Sequence, residues 1–474
     1  MLERGYATFL SARGAPMLLS THQPGESHGY ARVAAMDVRE ILGQHVLLDG
    51  YDFVLDLAAS EGLWLVDAVT GTRLLDMFSF FGSSALGMNP PRLTGDEEFM
   101  RHLGAVSVSK PSNPDVYTSE YATFVATFAR VLGDPMLPHL FFVEGGALAV
   151  ENALKAAFDW KAKRTGRAAE DSPDLTALHL KHAFHGRSGY TLSLTNTDPV
   201  KTMTFPKFRW PRIPSPAVRF PLDRYLPEVV ADEREALRQA RAAFEAAPDD
   251  IACFVVEPIQ AEGGDRHLRA EFLLAMQQLC REYDALLVLD EVQTGCGVTG
   301  TAWAYQQLGL EPDLVAFGKK TQVCGVMAGR RIEEVPDNVF RVSSRISSTW
   351  GGGLTDMVRA TRILEVIEEE ELIGAAAHKG RYILHGLERL ANDHPSLVEN
   401  PRGRGLLCAV DFVDPVLRDA ALHRLYRYER VIALPCGRRG LRLRPPLTVE
   451  KEHIDYALAA FDRTLLNLGL RVEA

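Results

Sequence analysis

Leu286-Leu287-Val288-Leu289 is an unbroken aliphatic run that stops at two carboxylates, Asp290 and Glu291. A continuous apolar run without polar alternation fits a strand covered on both faces, the habit of parallel sheets in α/β proteins. The run therefore constrains the fold class, and it also delivers an acid to the C-terminal rim of the sheet, where such folds keep their ligands. A second run, residues 313–318 (DLVAFG), ends the same way, so Lys319 is expected at the same rim. One crevice then holds an acid and an amine. Taken singly, each has a plainer reading, because a carboxylate at a strand end is usually a cap or surface ion pair and Gly318-Lys319 is usually a turn. A nucleotide-binding phosphate loop does not fit, since Lys320 stands where Ser or Thr is required and Asp313 where the first glycine belongs.

The same alternation continues through the middle of the chain. From about residue 140 strand-like and helix-like stretches follow one another: LPHLFFVEGG, a helix over residues 147 to about 163, TALHLKHAF, IACFVVEPIQ, a helix over about 269 to 283, and LLVLDEV. Repeated βα units predict a mostly parallel sheet flanked by helices, read as a large domain over residues 76–350. Residues 36–75 are strand-rich. With residues 351–474, where a helix begins near Asp356 and GRGLLCAVDF, RVIALP and GLRLRPPLTV are candidate strands, they are read as a smaller α/β domain. Residues 1–35 read as an N-terminal arm. Between residues 199 and 227 seven prolines interrupt any periodicity, which predicts a long irregular excursion.

Composition narrows the functional classes. The 474 residues are 46% hydrophobic and 24% charged, ample for a large core. A net charge of −10 without long basic blocks argues against nucleic acid or an anionic membrane as the principal partner. No run approaches the ~18–20 apolar residues of a membrane span and the start of the chain lacks a secretory pattern, so a cytoplasmic protein is expected. The six cysteines form no closely spaced pair. His179, His182 and His185 recur every third residue, but strand alternation turns the middle one to the opposite face, so no metal site is expected there.

Phe142 to Ala147 (FVEGGA) joins a buried strand to a helix start, where uncluttered N–H groups form a phosphate cup. A phosphate cup, an acid and an amine, in this order, are what pyridoxal 5′-phosphate requires, since the amine forms a Schiff base with its aldehyde and the acid pairs with its ring nitrogen.

Six segments, GGALAVENALK, AFHGRSGYT, VVEPIQAEGG, DEVQTGCGVTG, AFGKK and LRLRPPL, resemble the class III aminotransferases of the ornithine and 4-aminobutyrate type, in the family's order. FGKKTQVCGVMAGR and STWGGGLTDM resemble their lysine-specific branch, and the likeness covers about residues 36–465. The resemblance implies a fold-type-I, pyridoxal-phosphate enzyme and a homodimer with shared active sites. It implies transfer of the ε-amino group of L-lysine to 2-oxoglutarate, giving 2-aminoadipate 6-semialdehyde and L-glutamate. Alternatives are another ω-aminotransferase, for ornithine, 4-aminobutyrate or a diamine, or a 1,2-aminomutase.

Roles follow from the resemblance position by position. Lys319 holds the cofactor and carries the proton, with Lys320 the less favoured neighbour, and Asp290 meets the pyridine nitrogen. Phe184 and Val292 cover the two ring faces and Gln293 reaches the phenolic oxygen. Gly146 and Ala147 bind the phosphate, joined by Thr349 of the partner subunit. Arg187 and Arg442 take substrate carboxylates, and Glu262 pairs with Arg442 while the amino donor is bound. Ser347, near phosphate and substrate, replaces the asparagine of the lysine branch; Ala261 and Gly353 are further departures.

Overall fold

A computed structural model of the chain describes residues 32–167 and 175–472; residues 1–31 of the expected arm lie outside them. The chain divides into two compact units, Met1–Val54 and Leu55–Ala474. In the first, a short turn Ala35–Asp37 leads into the helix Val38–Gly43, and the Arg39 guanidinium donates to the Tyr51 carbonyl at 3.0 Å.

The second unit opens with an antiparallel pair, β1 (Trp64–Val66) and β2 (Arg73–Asp76). Its main sheet takes β3 (His139–Val143), β4 (Thr176–Leu180), β5 (Arg212–Ile213) and β6 (Ile251–Val256). A small hairpin, β7 (Ile259–Gln260) and β8 (Arg266–His267), leaves the rim after β6. The sheet is completed by β9 (Leu286–Asp290), β10 (Leu314–Phe317) and β11 (Cys324–Ala328), in the order β3-β11-β10-β9-β6-β4-β5. Neighbours from β10 to β5 are parallel, whereas β11 runs antiparallel between β10 and β3.

Alternation along these strands builds two separate cores. Val255, Val288 and Ala316 pack with Ala149, Ala153, Ala157 and Trp160 of the helix Gly146–Arg164. Their immediate neighbours Phe254, Leu287 and Val315 belong instead to the core holding Phe272 and Met276 of the helix Ala270–Glu282. Successive side chains on a strand point to opposite faces. Each face is therefore covered, every residue of β6 and β9 is buried, and this is why neither strand alternates in polarity. Each such aliphatic side chain contributes about 1.5–3 kcal/mol by leaving water.

A second, four-stranded antiparallel sheet contains β12 (Val398–Arg404) and β13 (Leu407–Phe412). Between them and its last two strands the chain forms β14 (Val431–Ile432), which pairs in parallel with β2 and ties residues near 75 to the C-terminal part. Strands β15 (Leu434–Cys436) and β16 (Gly440–Leu443) complete the order β12-β13-β16-β15. No helix among the described residues is long and apolar enough to cross a membrane.

Two local expectations change, and one strand appears that was not foreseen from sequence. The proline-rich excursion ends early, because the helix Leu222–Ala246 begins before Pro227 and contains it. A proline in a helix costs the bond to the carbonyl four residues back, here that of Asp223, and the buried stripe Val229, Ala236, Ala240 and Phe244 outweighs that loss. Strand β11 falls in a stretch that carries no strand signal of its own. Of the three histidines only His179 lies on a strand, where its Nε2 accepts from Arg212 Nε at 2.9 Å; His182 lies beyond β4 with φ +63°.

Candidate active site

Asp290 closes β9 and pairs in register with Ala316 of β10, so Gly318 and Lys319 emerge beside it just beyond the end of β10. Both open into a cavity of about 1170 Å³ whose lining includes Asp290, Lys319, Phe184, Arg187, Glu262 and Gln293. Lys319 has φ +56°, a left-handed conformation that side-chain-bearing residues adopt at a cost and that clusters at functional sites. Burial, with the Arg442 charge second, holds its amine below the usual lysine range, against the opposing pull of Asp290 and Glu262. The adjacent Lys320 is directed elsewhere. It is buried, its Nζ donates to the Gly82 carbonyl at 2.7 Å, and burial pushes its pKa down to about 7. Only the first of the two lysines lines the cavity.

The acid is held from two sides. Asp290 Oδ2 lies 2.8 Å from His185 Nδ1, and Oδ1 accepts the Val292 N–H at 3.1 Å. Close by, Glu257 accepts the Phe184 N–H at 2.9 Å and the Ala261 N–H at 3.3 Å. Burial first, and the Asp290 charge second, push the Glu257 carboxyl well above the usual carboxylate range. Burial beside a second carboxylate thus favours the neutral form of Glu257. Neither His185 nor Glu257 was singled out from sequence as a site residue. Glu257 was findable, since it follows the apolar run of β6 as Asp290 ends that of β9.

The glycine turn lies at the same rim. Gly145 has φ +107° and Gly146 opens the 19-residue helix Gly146–Arg164. A Cβ on Gly146 would stand 2.9 Å from Val292 Cγ1, so the turn is pressed against the residue that follows Glu291. The HGR loop closes on it from above: Gly186, at φ +116°, leaves only 2.5 Å between an added Cβ and Ala147 Cβ. The first N–H groups of such a helix have no partner within it and receive an anion favourably. With the acid, the amine and the apolar Phe184 and Val292 around one cavity, these residues fit pyridoxal 5′-phosphate.

Arg442, fully buried on β16, donates to Glu262 Oε2 at 2.7 Å and to Gln293 Oε1 at 3.2 Å. Gln293 also lies 3.4 Å from Arg444 Nε, and Arg444 is itself paired with buried Asp265. The second oxygen of Glu262 takes a contact not foreseen from sequence, from Lys201 Nζ at 2.5 Å. Burial opposes the charge of Glu262, but Arg442 and Lys201 overcome it and hold the carboxyl below the usual glutamate range. Arg187 lines the cavity and is exposed, with no ion-pair partner among the described residues. Ser347 and Thr349 are exposed and do not line this cavity, so one chain does not bring them to its own site.

Comparison with known proteins gives a consistent result. The aminotransferase class-III profile matches residues 49–465. The chain is 64% identical over 435 residues to the L-lysine-epsilon aminotransferase of Amycolatopsis lactamdurans, which covers 92% of this chain and 97% of that one. Its identity to the L-lysine-epsilon aminotransferase of Streptomyces clavuligerus is 62% over 439 residues, 93% of this chain and 96% of the other. Among solved structures, the lysine aminotransferase from M. tuberculosis matches with a TM-score of 0.89 at 61% identity, covering 92% of this chain and 100% of that one.

Proposed function

Because this chain belongs to the class-III aminotransferase family, we infer that it is an L-lysine 6-transaminase, moving the ε-amino group of L-lysine to 2-oxoglutarate. The products are 2-aminoadipate 6-semialdehyde and L-glutamate. The observation that carries the reading is that Glu262, in the cavity lining, pairs with buried Arg442, whereas Arg187, in the same lining, has no ion-pair partner among the described residues. Lysine offers one carboxylate, far from its reacting amine. Arg187 takes that carboxylate and sets the distance, while Glu262 keeps Arg442 neutralised, so the molecule gains nothing by entering reversed. Glutamate and 2-oxoglutarate bring two carboxylates. Their α-carboxylate then replaces Glu262 at Arg442, a planar guanidinium suited to bidentate carboxylate binding.

Pyridoxal 5′-phosphate supplies the carbonyl that takes up the amino group and a ring that accepts electrons from the broken C–H bond. The chain's own groups do the rest. Lys319 anchors the cofactor, and its Nζ, whose pKa burial lowers, moves the proton from the ε-carbon of lysine. Asp290, fixed by His185 Nδ1 and the Val292 N–H, holds a proton on the ring nitrogen. Gly146 and Ala147 bind the phosphate. Phe184 and Val292 would cover the ring faces, and Gln293, oriented by Arg442 and Arg444, would meet the phenolic oxygen. Thr349 and Ser347 serve the partner subunit's cavity in a homodimer, a reading supported by their exposure outside their own.

The test is an amino-donor panel of lysine, ornithine and 4-aminobutyrate with 2-oxoglutarate as acceptor, with product analysis. Lysine is to be the preferred donor and to yield the six-membered cyclic imine of the semialdehyde. A main product of 2-oxo-6-aminohexanoate, or a preference for ornithine or 4-aminobutyrate, overturns it.

A further inference from the structure

Glu262 is a bridge between two cations, one on either side of it. Its Oε2 faces Arg442 at 2.7 Å and its Oε1 faces Lys201 at 2.5 Å. Lys201 comes from a different part of the chain, the short turn Pro199–Lys201, whose geometry is fixed because Asp198 caps it by accepting the Val200 N–H at 3.0 Å. Its Nζ also stands 5.4 Å from the centroid of the Phe184 ring, and its side chain lines the cavity. The contact is partly shielded, with side-chain exposures of 24% for Lys201 and 26% for Glu262.

We propose that Lys201 is a positioning residue that holds Glu262 after it leaves Arg442, and so sets how readily the enzyme accepts dicarboxylates. The proposal rests on the lysine 6-transaminase reading above. A carboxylate displaced by an incoming carboxylate would otherwise be left unpaired beside a second negative charge, in a site where burial already disfavours its ionisation. Lys201 removes that penalty. Glu262 rotates about a contact it already has and releases only one of its two cations. In the lysine-bound state Glu262 keeps Arg442 whether or not Lys201 is present, whereas in the glutamate-bound state Lys201 is the cation that remains to it. Loss of Lys201 therefore weighs on one half-reaction far more than on the other.

The experiment measures the two half-reactions separately, by single turnover of the holoenzyme with lysine and of its aminated form with 2-oxoglutarate, for wild type, Lys201→Met and Lys201→Arg. The wild-type lysine half-reaction tests the underlying reading, independently of the variants. Cofactor loading and thermal melting are compared first, and Lys201→Arg keeps the charge should Lys201→Met fold poorly. Loss of one charge-assisted hydrogen bond corresponds to roughly a tenfold weaker apparent affinity for 2-oxoglutarate in Lys201→Met, with lysine changed less than about threefold and Lys201→Arg close to wild type. In a Glu262→Gln background the Lys201→Met effect is to disappear, since the role is exerted through Glu262. Equal losses in both halves, or the same loss in the Glu262→Gln background, overturn the proposal; the second outcome would mean that Lys201 binds a substrate carboxylate directly.

Discussion

Gly186→Ala is the sharpest probe of how the HGR loop shapes the phosphate turn. An added Cβ would stand 2.5 Å from Ala147 Cβ, 2.9 Å from Ala147 Cα and 3.0 Å from Thr191 Oγ1, where carbon contacts normally relax to about 3.5–4.0 Å. Something must therefore move by about 1 Å. The φ of +116° adds strain of about 1–3 kcal/mol for a residue with a side chain, and overpacking adds about 1–3 kcal/mol more. If the loop yields, the apoprotein loses stability by that amount. If the glycine turn yields, its N–H groups leave the phosphate, and a loss of about 3 kcal/mol weakens cofactor binding more than a hundredfold. Thermal unfolding of the apoprotein and titration with pyridoxal 5′-phosphate followed by absorbance separate the two outcomes. Ala147→Gly, which removes the nearest clashing atom, is to restore part of the loss in the double variant, beyond its own cost of about 1 kcal/mol in a helix. Wild-type melting and wild-type affinity in Gly186→Ala, or strict additivity with Ala147→Gly, would refute the reasoning.

Removing Glu262 (Glu262→Ala) is to slow the lysine half-reaction relative to the glutamate one and Arg442→Ala to do the reverse, both read by single turnover; equal losses in each half would deny a switch. Borohydride reduction and peptide mapping are to label Lys319, whose replacement by Ala abolishes turnover; label on Lys320 would contradict its burial against the Gly82 carbonyl. Mixing inactive Lys319→Ala subunits with Thr349→Ala subunits is to raise activity above either alone, because one site of the hybrid dimer then has both native residues; no gain on verified exchange argues against shared sites. Glu291 has its pKa raised from 4.5 to about 7 by burial, so the folded state keeps a proton the unfolded chain loses. Its contribution is complete below pH 4.5 and is lost as pH rises to about 7, so Glu291→Gln is to gain up to about 3 kcal/mol at pH 8 relative to pH 5 in urea unfolding.

The parts legible in the sequence are those with a local physical signature. Unbroken apolar runs mark β6, β9 and β10 because both faces of these strands are covered, and that placed Asp290 and Lys319 at one rim. The glycine turn was legible because a helix start without side chains is a local pattern. The roles given to Phe184, Gln293 and the two arginines came with the family resemblance and have no such signature. Lys201 was invisible because it belongs to the proline-rich excursion, whose path is set by what it packs on; nothing in its neighbours in sequence points to Glu262. His185 was weighed only as a metal ligand, since its contact with Asp290 depends on the chain leaving β4 after Leu180. Strand β11 is short, contains a glycine, and owes its existence to two partners rather than to its own propensity.

The reversed strand between β10 and β3 imposes an order on biosynthesis. Strand β3, which leads into the glycine turn, is hydrogen-bonded only to β11 within its sheet, and β11 leaves the ribosome roughly 180 residues after it. Until then β3 is an unpaired apolar edge, the kind of surface that recruits neighbouring nascent chains. The main sheet cannot be completed vectorially from its N-terminal strand. A polypeptide that stops short of Cys324 has its acid and its glycine turn but lacks the strand that bridges them. Completion of the sheet whose rim carries the acid and the glycine turn thus waits until the chain has been synthesised past β11.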